Sequence, residues 1–546
     1  MNEKELFEAI GNTDDELIEK SEEKPKKSRS WIKWTGLSAA CICALVIGYA
    51  AIHKITMDNY VAIVPPEGTT TTTVSPTEAT PSIVPSKPLQ LLAAPVYPEM
   101  PPFPDADDTA FINPDGTYND DKFSDMSDKH WESTKRQVFD NKGYSEGFAD
   151  FCGKTMPTFL KAENGENIIY SPMNLYMALG MLSEITDGNS RQQILDVLNV
   201  EDTLSLQKKI NGMWNANYCD DGLYTSLLAN SLWLRNDAEY EDSTIKILAD
   251  NYYASSYSGT MGSDELNRAL QKWLNDNTGD FLTEQTGDIT LSEDNLIALA
   301  STVYFKAQWT NSSRFFEEKT EPRTFTAFNG EEITCDFMYN NDYGEYLFEG
   351  KNYTAVHLAF NSNPYNAGMW FILPNEGVST DEVILSEDML YMINNDSGNI
   401  PFAEYLAKEN NVSPEFYNPY NIKTSKKDLN MYVPKFDIGY KSDFIDKLPE
   451  LGITDVLDFG TSDYTPLTVD DSIDVKLSEA KQAVRVKIDE EGCTAASFIL
   501  MENPAAGGML EEPEPYDFIL DRPFIFCITG TENVPMFIGV VNNPNG

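Results

Sequence analysis

The most informative stretch of the sequence is Val486-Lys487-Ile488-Asp489-Glu490-Glu491-Gly492-Cys493-Thr494-Ala495-Ala496-Ser497. An alternation typical of a β-strand runs into two carboxylates and a glycine, after which the side chains are small. Small side chains that follow a glycine can be exposed at low cost, and they can also enter a packed sheet without overfilling it. We therefore predict that Glu490–Ser497 is a hinge whose residues can occupy either the surface or a sheet.

The overall composition excludes several classes of function. The 546 residues carry a formal net charge of −47, which would repel phosphates, so we expect no nucleic-acid partner. Two of the seven cysteines, Cys41 and Cys43, lie in an apolar segment, and the other five have no paired spacing. We therefore expect no disulfide framework, no metal site and no cofactor.

The N-terminal region predicts a membrane anchor. The run from Thr35 to Ile52 is free of charge, mostly apolar and just long enough to cross a bilayer. Lysine and arginine are more frequent before this run than after it, so the positive-inside rule places the bulk of the chain outside the cell. We predict a cytoplasmic tail (1–30), a transmembrane signal-anchor (31–55) and an extracellular C-terminal domain at the cell membrane. Cleavage of the apolar segment as a signal peptide would instead give a secreted protein.

A spacer is predicted over residues 56–138. Prolines and a threonine run, Thr69 to Thr73, favour an extended chain that cannot bury a core. Residues 105–135 are acidic and are expected to be loose as well. Order is expected to begin near Tyr144, which gives a folded domain over 139–546.

Two kinds of hydrophobic pattern occur in this domain, one typical of helices and one typical of buried strands. Phe148, Phe151 and Phe159 recur at helical spacing, whereas Leu227–Leu234 and Ile297–Lys306 are mostly apolar and are expected to be buried central strands. Strands and helices are mixed without regular βαβ alternation. This pattern predicts an α+β fold with a large mixed β-sheet.

Six further motifs occur in the order of one known family: Asn167–Pro172, Thr302–Trp309, Tyr432–Phe436, Leu451–Asp455, Asp521–Phe524 and Pro535–Val541. Together with the hinge they resemble the serpins, the suicide inhibitors of serine proteases. The resemblance covers roughly 400 residues, from Tyr144 to Pro544. It implies the serpin fold, a large mixed sheet with helices behind it, smaller sheets and an exposed reactive-centre loop. The expected protein is a bacterial, membrane-anchored and monomeric member of the family.

Five residues match the region from which the main sheet of the family opens. Trp309 matches the tryptophan beneath the top of the sheet. The residues Ser171, Asn174, Ser301 and Gln482 match a small hydrogen-bonding cluster beneath its centre, where a second serine, an asparagine and a histidine are more usual. All four remain polar and could satisfy one another, so the departure is either drift within a satisfied network or an altered barrier to sheet opening.

The resemblance also implies a mechanism. A serine protease attacks the loop, and the cleaved loop then inserts into the main sheet as a new strand and distorts the attached protease. Cys493 would be the first residue to insert, and Ala495 and Ser497 alternate with it onto the same face. Thr494 and Ala496 would point to the opposite face.

The loop spacing of the family places the reactive bond at Ala506–Gly507. The loop is longer than usual, so Met509 or Leu510 is the alternative residue that the protease recognises. No lysine or arginine occurs between Lys487 and Arg522, which disfavours trypsin-like proteases because their specificity pocket pairs with a cation. Elastase-like or subtilisin-like enzymes, whose pockets accept small or medium apolar groups, are the expected partners.

Two other classes of function, an enzyme and a non-inhibitory binding protein, make different demands on the sequence. An enzyme is disfavoured because the region beyond the spacer contains a single histidine, His357, and the sequence has no catalytic elbow, zinc motif or phosphate-binding glycine loop. We therefore predict that the chain is not an enzyme. The remaining alternative is a non-inhibitory serpin-fold protein that serves for binding or display, whose heat resistance would hardly change on loop cleavage.

Overall fold

The computed structural model describes residues 88–105, 109–161, 164–283, 287, 289–293, 296–395, 400–470, 475–493 and 513–546. The chain divides into two units, 1–82 and 83–546, and all of the described residues belong to the second.

Ten α-helices and seventeen β-strands lie within the described residues. The helices are α1 (Asp120–Asp140), α2 (Phe148–Phe159), α3 (Pro172–Glu184), α4 (Gly188–Leu198), α5 (Thr203–Asn217), α6 (Asp242–Tyr252), α7 (Asp264–Asp276), α8 (Thr380–Ile384), α9 (Glu387–Asn394) and α10 (Ala403–Asn410). The strands are β1 (Gln90–Ala93), β2 (Ile168–Tyr170), β3 (Cys219–Asp220), β4 (Thr225–Arg235), β5 (Ala254–Gly259), β6 (Ile297–Gln308), β7 (Glu321–Thr326), β8 (Glu332–Glu349), β9 (Tyr353–Ala359), β10 (Gly368–Pro374), β11 (Lys423–Pro434), β12 (Phe436–Asp443), β13 (Glu479–Ile488), β14 (Gly492–Cys493), β15 (Glu514–Ile519), β16 (Phe524–Thr529) and β17 (Pro535–Val541).

These strands form two sheets in the described part of the chain. The main sheet has eight strands in the order β1-β5-β4-β6-β14-β13-β12, with β3 beside β4. The second sheet has nine strands in the order β15-β11-β8-β9-β10-β16-β17-β2, with β7 beside β8. The predicted α+β class and the large mixed sheet are confirmed, since β4 pairs parallel with β5 and antiparallel with β6. The predicted smaller sheets are joined through the long strand β8 into one.

The centre of the main sheet is covered on both of its faces. Helix α3 packs between β6 and the second-sheet strand β17. It begins at Ser171, whose side chain accepts a hydrogen bond from Asn174 N, and Pro172 follows as a first helical residue that needs no partner for a backbone N–H. On the other face, Leu270 and Leu274 of α7 pack with Ala298 of β6. This double cover explains why most side chains of β6 are apolar.

Order begins earlier than the sequence predicts. Strand β1 pairs antiparallel with β5 and forms the edge of the main sheet. Tyr97 stacks on Trp214, Tyr218 and Tyr253 with ring centroids 5.4, 5.7 and 6.2 Å apart. The segment expected to be loose, 105–135, contains most of helix α1, so the prediction that order begins near Tyr144 is wrong. The reason is that a few widely spaced aromatic residues dock on the domain although their neighbours are proline or acidic.

Helix α1 is held by a buried polar contact. His130 Nε2 lies 2.9 Å from Asp221 Oδ2, and both side chains are buried. The ring of His130 also meets the edge of Phe103, whose backbone N–H donates to the Asp221 carbonyl at 2.7 Å. Residues on either side of the predicted domain boundary at 139 therefore pack as one body.

Tyr97 offers a test of this packing. We expect Tyr97→Ala to lower the free energy of unfolding by about 1–3 kcal/mol, because it removes the ring that stacks on three buried or half-buried aromatic side chains. Urea unfolding of the full chain measures the change. The matched control is Val96→Ala, since Val96 is 89 % exposed and its loss should change little. Equal effects of the two substitutions would contradict the docking of this segment.

The predicted location at the cell membrane needs correction. None of the helices in the described ranges is long and apolar enough to cross a membrane. The longest of these helices, α1 with 21 residues, carries charged side chains along its whole length. The tail 1–30 and the span 31–55 lie outside the described residues. The predicted membrane partner and the extracellular placement therefore have no support among the described residues.

Candidate functional site

The described part of the predicted hinge, 490–493, reaches between two central strands of the main sheet. Strand β13 ends at Ile488, and after a short turn Gly492 and Cys493 fold back as β14. Cys493 pairs with Ile488 of β13 on one side and with Ala307 of β6 on the other, antiparallel in both cases. Gly492 and Cys493 therefore already form a strand of the main sheet.

Glycine is required at position 492 by the closeness of β6. A Cβ atom there would collide with the carbonyl oxygen of Ala307 and press on Cα of Gln308. Both are backbone atoms, which cannot move aside as the end of a side chain can. Only glycine therefore lets β14 approach β6 closely enough to pair.

Below the hinge, β6 and β13 separate from each other. The two strands pair directly, in parallel, where Ala298–Ala300 of β6 lie beside Glu479–Lys481 of β13. Between this pairing and β14 lies a narrow cavity lined by Tyr304, Val486 and Cys493 among others. A strand that continued from Cys493 would enter this space.

Trp309 holds the turn above the hinge. Its indole Nε1–H donates to the Asp489 carbonyl at 3.1 Å, and its backbone N–H donates to the Glu491 carbonyl at 3.0 Å. The ring is buried and stacks on Phe360 with centroids 4.5 Å apart. Trp309 therefore fixes the backbone from which the hinge departs.

Glu490 anchors the same turn through its side chain. Its Oε1 lies 2.7 Å from Lys435 Nζ and accepts a hydrogen bond from Thr320 Oγ1 at 2.6 Å. Burial alone would raise the pKa of this carboxyl, but the bonds from Lys435 and Thr320 outweigh burial and hold the pKa below its ordinary value. The charged form of Glu490 therefore stabilises the closed top of the sheet.

The lowered pKa of Glu490 predicts an acid-sensitive contribution to stability. This contribution is present above the unfolded pKa, near 4.5, and is lost as the pH falls through the lower folded value. We expect Glu490→Gln to lower the free energy of unfolding by about 1–3 kcal/mol at pH 7 and to have much less effect near pH 3. Urea unfolding at both pH values measures this. Glu491→Gln makes the same charge change one residue away, and an equal loss in that variant would contradict the anchoring role.

Three of the four residues expected beneath the sheet centre meet closely. Asn174 Nδ2 donates to the Ser301 carbonyl at 2.9 Å. Ser301 Oγ contacts Asn174 Oδ1 and lies 2.6 Å from Asn230 Oδ1. Ser171 Oγ donates to the Met536 carbonyl at 2.6 Å. The cluster thereby links helix α3, strands β4 and β6, and the second sheet.

Gln482 is joined to this cluster by one long contact. Its Oε1 accepts from Ser171 N at 3.4 Å, whereas its buried Nε2 has no hydrogen-bond partner among the described residues. Asn230 takes part in the cluster but was not predicted. The sequence signal that could have identified Asn230 is its position as a polar residue within the mostly apolar strand β4.

The remaining predicted site residues lie outside the described residues: Thr494, Ala495, Ala496, Ser497, Ala506, Gly507, Met509 and Leu510. The two ends of their segment are described. Cys493 belongs to the main sheet, and Glu514 begins β15, which pairs parallel with β11 in the second sheet. The segment 494–513 therefore connects one sheet to the other.

Comparison with known proteins gives a consistent assignment. The family described as "Serpin (serine protease inhibitor)" matches residues 146–544. Human neuroserpin is 25 % identical over 415 residues, which cover 73 % of this chain and 91 % of neuroserpin. An uncharacterized serpin-like protein of Methanosarcina acetivorans is 23 % identical over 394 residues, covering 69 % and 82 % of the two chains.

Solved structures share the fold. The native state of the thermophilic serpin tengpin matches with a TM-score of 0.59 and 21 % identity, over 74 % of this chain and 94 % of tengpin. Arabidopsis AtSerpin1 in its native stressed conformation matches with a TM-score of 0.60 and 20 % identity, over 73 % and 98 %. These likenesses confirm the predicted fold. The bacterial source and the membrane anchor find no support in any of these matches.

The family match extends over well over half of the chain and contains both the hinge and the cluster beneath the sheet. Members of this family are in general inhibitors of serine proteases and not catalytic enzymes, which confirms the prediction that the chain is not an enzyme. The chain belongs to the serpin family.

Proposed function

We propose that the chain is a suicide inhibitor of serine proteases with elastase-like or subtilisin-like specificity. Cleavage of the reactive-centre loop would release its N-terminal part, which then inserts between β6 and β13 and carries the attached protease along. The observation that carries this proposal is the position of β14, whose two residues already occupy the place of an inserting strand. The inhibitory unit is proposed to be residues 139–546 together with the preceding segment, from β1 onward, that packs on them.

The register of β14 supports insertion of the rest of the loop. Gly492 pairs with Gln308, so a strand continuing in this register would end with Asn503 opposite Ile297, at the far end of β6. No proline occurs from Gly492 to Asn503, and the first proline is Pro504. Proline cannot donate a hydrogen bond to a central strand. The proline-free part of the loop thus has the length of β6, which is 12 residues.

Insertion requires the main sheet to open at its lower end. The direct pairing of β6 with β13 over Ala298–Ala300 would have to break and be replaced by pairing with the loop. Ser301 lies next to this pairing, so the cluster that it forms with Asn174 and Ser171 is proposed to set the barrier to opening. The native state would then be trapped kinetically.

The reactive bond is proposed to be Ala506–Gly507, with Met509 and Leu510 as alternative recognised residues. This assignment rests on the usual loop spacing of the family counted from Gly492. The absence of lysine and arginine between Lys487 and Arg522 supports targets whose pockets accept small or medium apolar side chains.

A non-inhibitory role in binding or display is the second candidate, and Gln482 is the observation that favours it. The residue replaces the histidine that is more usual at this position, and its buried Nε2 lacks a partner among the described residues. The network that controls sheet opening therefore departs from the usual pattern, and its barrier can differ in either direction.

Incubation of the full chain with pancreatic elastase, subtilisin or trypsin tests the proposed function. Denaturing gels should show stable covalent complexes with elastase or subtilisin and none with trypsin. Mass spectrometry should find a released C-terminal peptide that begins at Gly507, whereas a peptide that begins at Leu510 or Glu511 would move the bond to an alternative. Clean cleavage without any complex would contradict the proposal.

A further inference from the structure

The segment 400–422, between α9 and β11, displays a group of exposed aromatic side chains. It contains α10 and a short 3₁₀ turn at Pro414–Phe416. The exposed fractions are 47 % for Phe402, 61 % for Tyr405, 70 % for Phe416 and 41 % for Tyr420. We call these four residues the aromatic surface. Large aromatic side chains exposed together on one segment are typical of a protein interface.

The backbone beneath the aromatic surface is held by specific contacts. Ala403 and Ala407 of α10 are buried. The hydroxyl of Tyr391 donates to the Tyr417 carbonyl at 3.0 Å. The side chain of Asn418 accepts from Ile422 N and donates to the Ile422 carbonyl, each at 2.9 Å. The surface is therefore presented by a fixed platform, which lowers the entropy lost when a partner binds.

The aromatic surface lies beside the point where the reactive-centre loop returns to the fold. The segment leads directly into Lys423, the first residue of β11. Strand β11 runs parallel to β15, and its Lys427 is aligned with Glu514, the first residue of β15. Along β11, Lys423 therefore lies four residues, or roughly 13 Å, before the residue that is aligned with Glu514. Phe402 also packs edge-on against Tyr346, which is aligned with Lys426 across the sheet.

A protease held by the loop would reach this surface. The proposed reactive bonds lie four to eight residues before Glu514, so the loop can hold the protease within about 30 Å of β15. A protein interface of ordinary size covers about 800 Å² on each partner, which is wide enough to span this distance. A second copy of the chain is a poorer occupant, because two molecules with a net charge of −47 repel each other.

We propose that the aromatic surface is a secondary contact for the serine protease that attacks the loop. The inference rests on the proposed function for the identity of the partner. Contact at Tyr405 and Phe416 would add affinity in the first, non-covalent complex and so accelerate inhibition, since aromatic anchors contribute strongly to interfaces. It would not change the later competition between insertion and release of the protease.

The double variant Tyr405→Ser/Phe416→Ser tests this contact in the full chain. We expect the second-order rate constant for complex formation with pancreatic elastase or subtilisin, whichever reacts faster with the wild type, to fall about tenfold. The ratio of trapped to cleaved chain should stay the same. The matched control is Leu204→Ser/Phe459→Ser, which exchanges two exposed apolar side chains, 67 % and 53 % exposed, on other elements. An unchanged rate, or an equal loss in the control, would overturn the inference.

A binding measurement separates this inference from the proposed function. The affinity of the chain for the same protease with its nucleophilic serine replaced by alanine requires no trapping. If the wild type forms no covalent complex but binds the inactive protease more tightly than the double variant does, the proposed function fails and the contact stands. Equal binding of wild type and double variant, or no binding by either, would overturn the contact. Sedimentation showing self-association of the wild type alone would also overturn it, in favour of a second copy.

Discussion

Replacing Cys493 by arginine is expected to abolish protease trapping while the loop remains cleavable. The side chain of Cys493 is 2 % exposed, and β14 pairs on both sides. Burying a cation without a partner costs several kcal/mol, and each 1.4 kcal/mol slows a step about tenfold. An arginine at position 493 is therefore expected to displace β14 from the sheet in the free chain. Insertion, which has to bury this cation again, should slow by about a hundredfold or more, so that the protease is released before it is trapped. Gel titration against elastase or subtilisin measures the chains consumed for each protease inhibited, and we expect more than about ten.

Cys493→Ala is the matched control for this variant. Alanine is small and apolar, as a buried cysteine effectively is, and should leave trapping intact. Ala495→Arg should reproduce the loss, because residue 495 alternates onto the same face as residue 493. Undiminished trapping by Ala495→Arg would show that the loop beyond Cys493 does not enter the sheet, and the mechanism proposed here would be wrong.

Cleavage of the loop is expected to raise the melting temperature by more than about 10 °C. Insertion of the loop beside β6 would add about ten backbone hydrogen bonds, worth about 10 kcal/mol in total. The entropy of unfolding is about 2 cal/mol/K per residue, or about 0.8 kcal/mol/K for some 400 residues. The ratio of these values is a shift of about 12 °C, before any apolar burial is counted. Calorimetry of the intact and the cleaved chain measures the shift.

Thermolysin is a suitable protease for this experiment, because a metalloprotease forms no acyl-enzyme that could be trapped. The Cys493→Arg variant, cleaved in the same way, serves as the control and should gain much less heat resistance. An unchanged melting temperature of the cleaved wild type would support the non-inhibitory alternative.

The requirement for glycine at position 492 could be predicted from sequence because it is local and steric. Gly492 has no side chain to collide with Ala307, and the residues after it are small enough for a packed sheet. The position of Trp309 and of the cluster at Ser171, Asn174 and Ser301 could be predicted only through resemblance to a family. Periodicity identifies a buried strand but does not identify which polar residues meet behind it.

The partners of the site could not be predicted, because they come from distant parts of the chain. Glu490 pairs with Lys435, which lies between β11 and β12, and with Thr320, which immediately precedes β7, and no local pattern joins the three residues. Composition places Tyr97 in a spacer because prolines surround it in the sequence. Its ring nevertheless stacks on Trp214 and Tyr253, which lie more than a hundred residues away in the chain. In both cases tertiary packing decides what composition and spacing cannot.

Hydrogen exchange in the protease complex tests loop insertion most directly. In the free chain, β6 and β13 pair directly only over Ala298–Ala300 and Glu479–Lys481 within the described residues. Peptides covering 301–306 and 482–487 contain residues that line the narrow cavity between the two strands. If the loop inserts, amide exchange in both peptides should slow by at least about tenfold in the complex, while a peptide from β10 should be unchanged. Exchange in 301–306 and 482–487 that matches the free chain would contradict insertion between these strands.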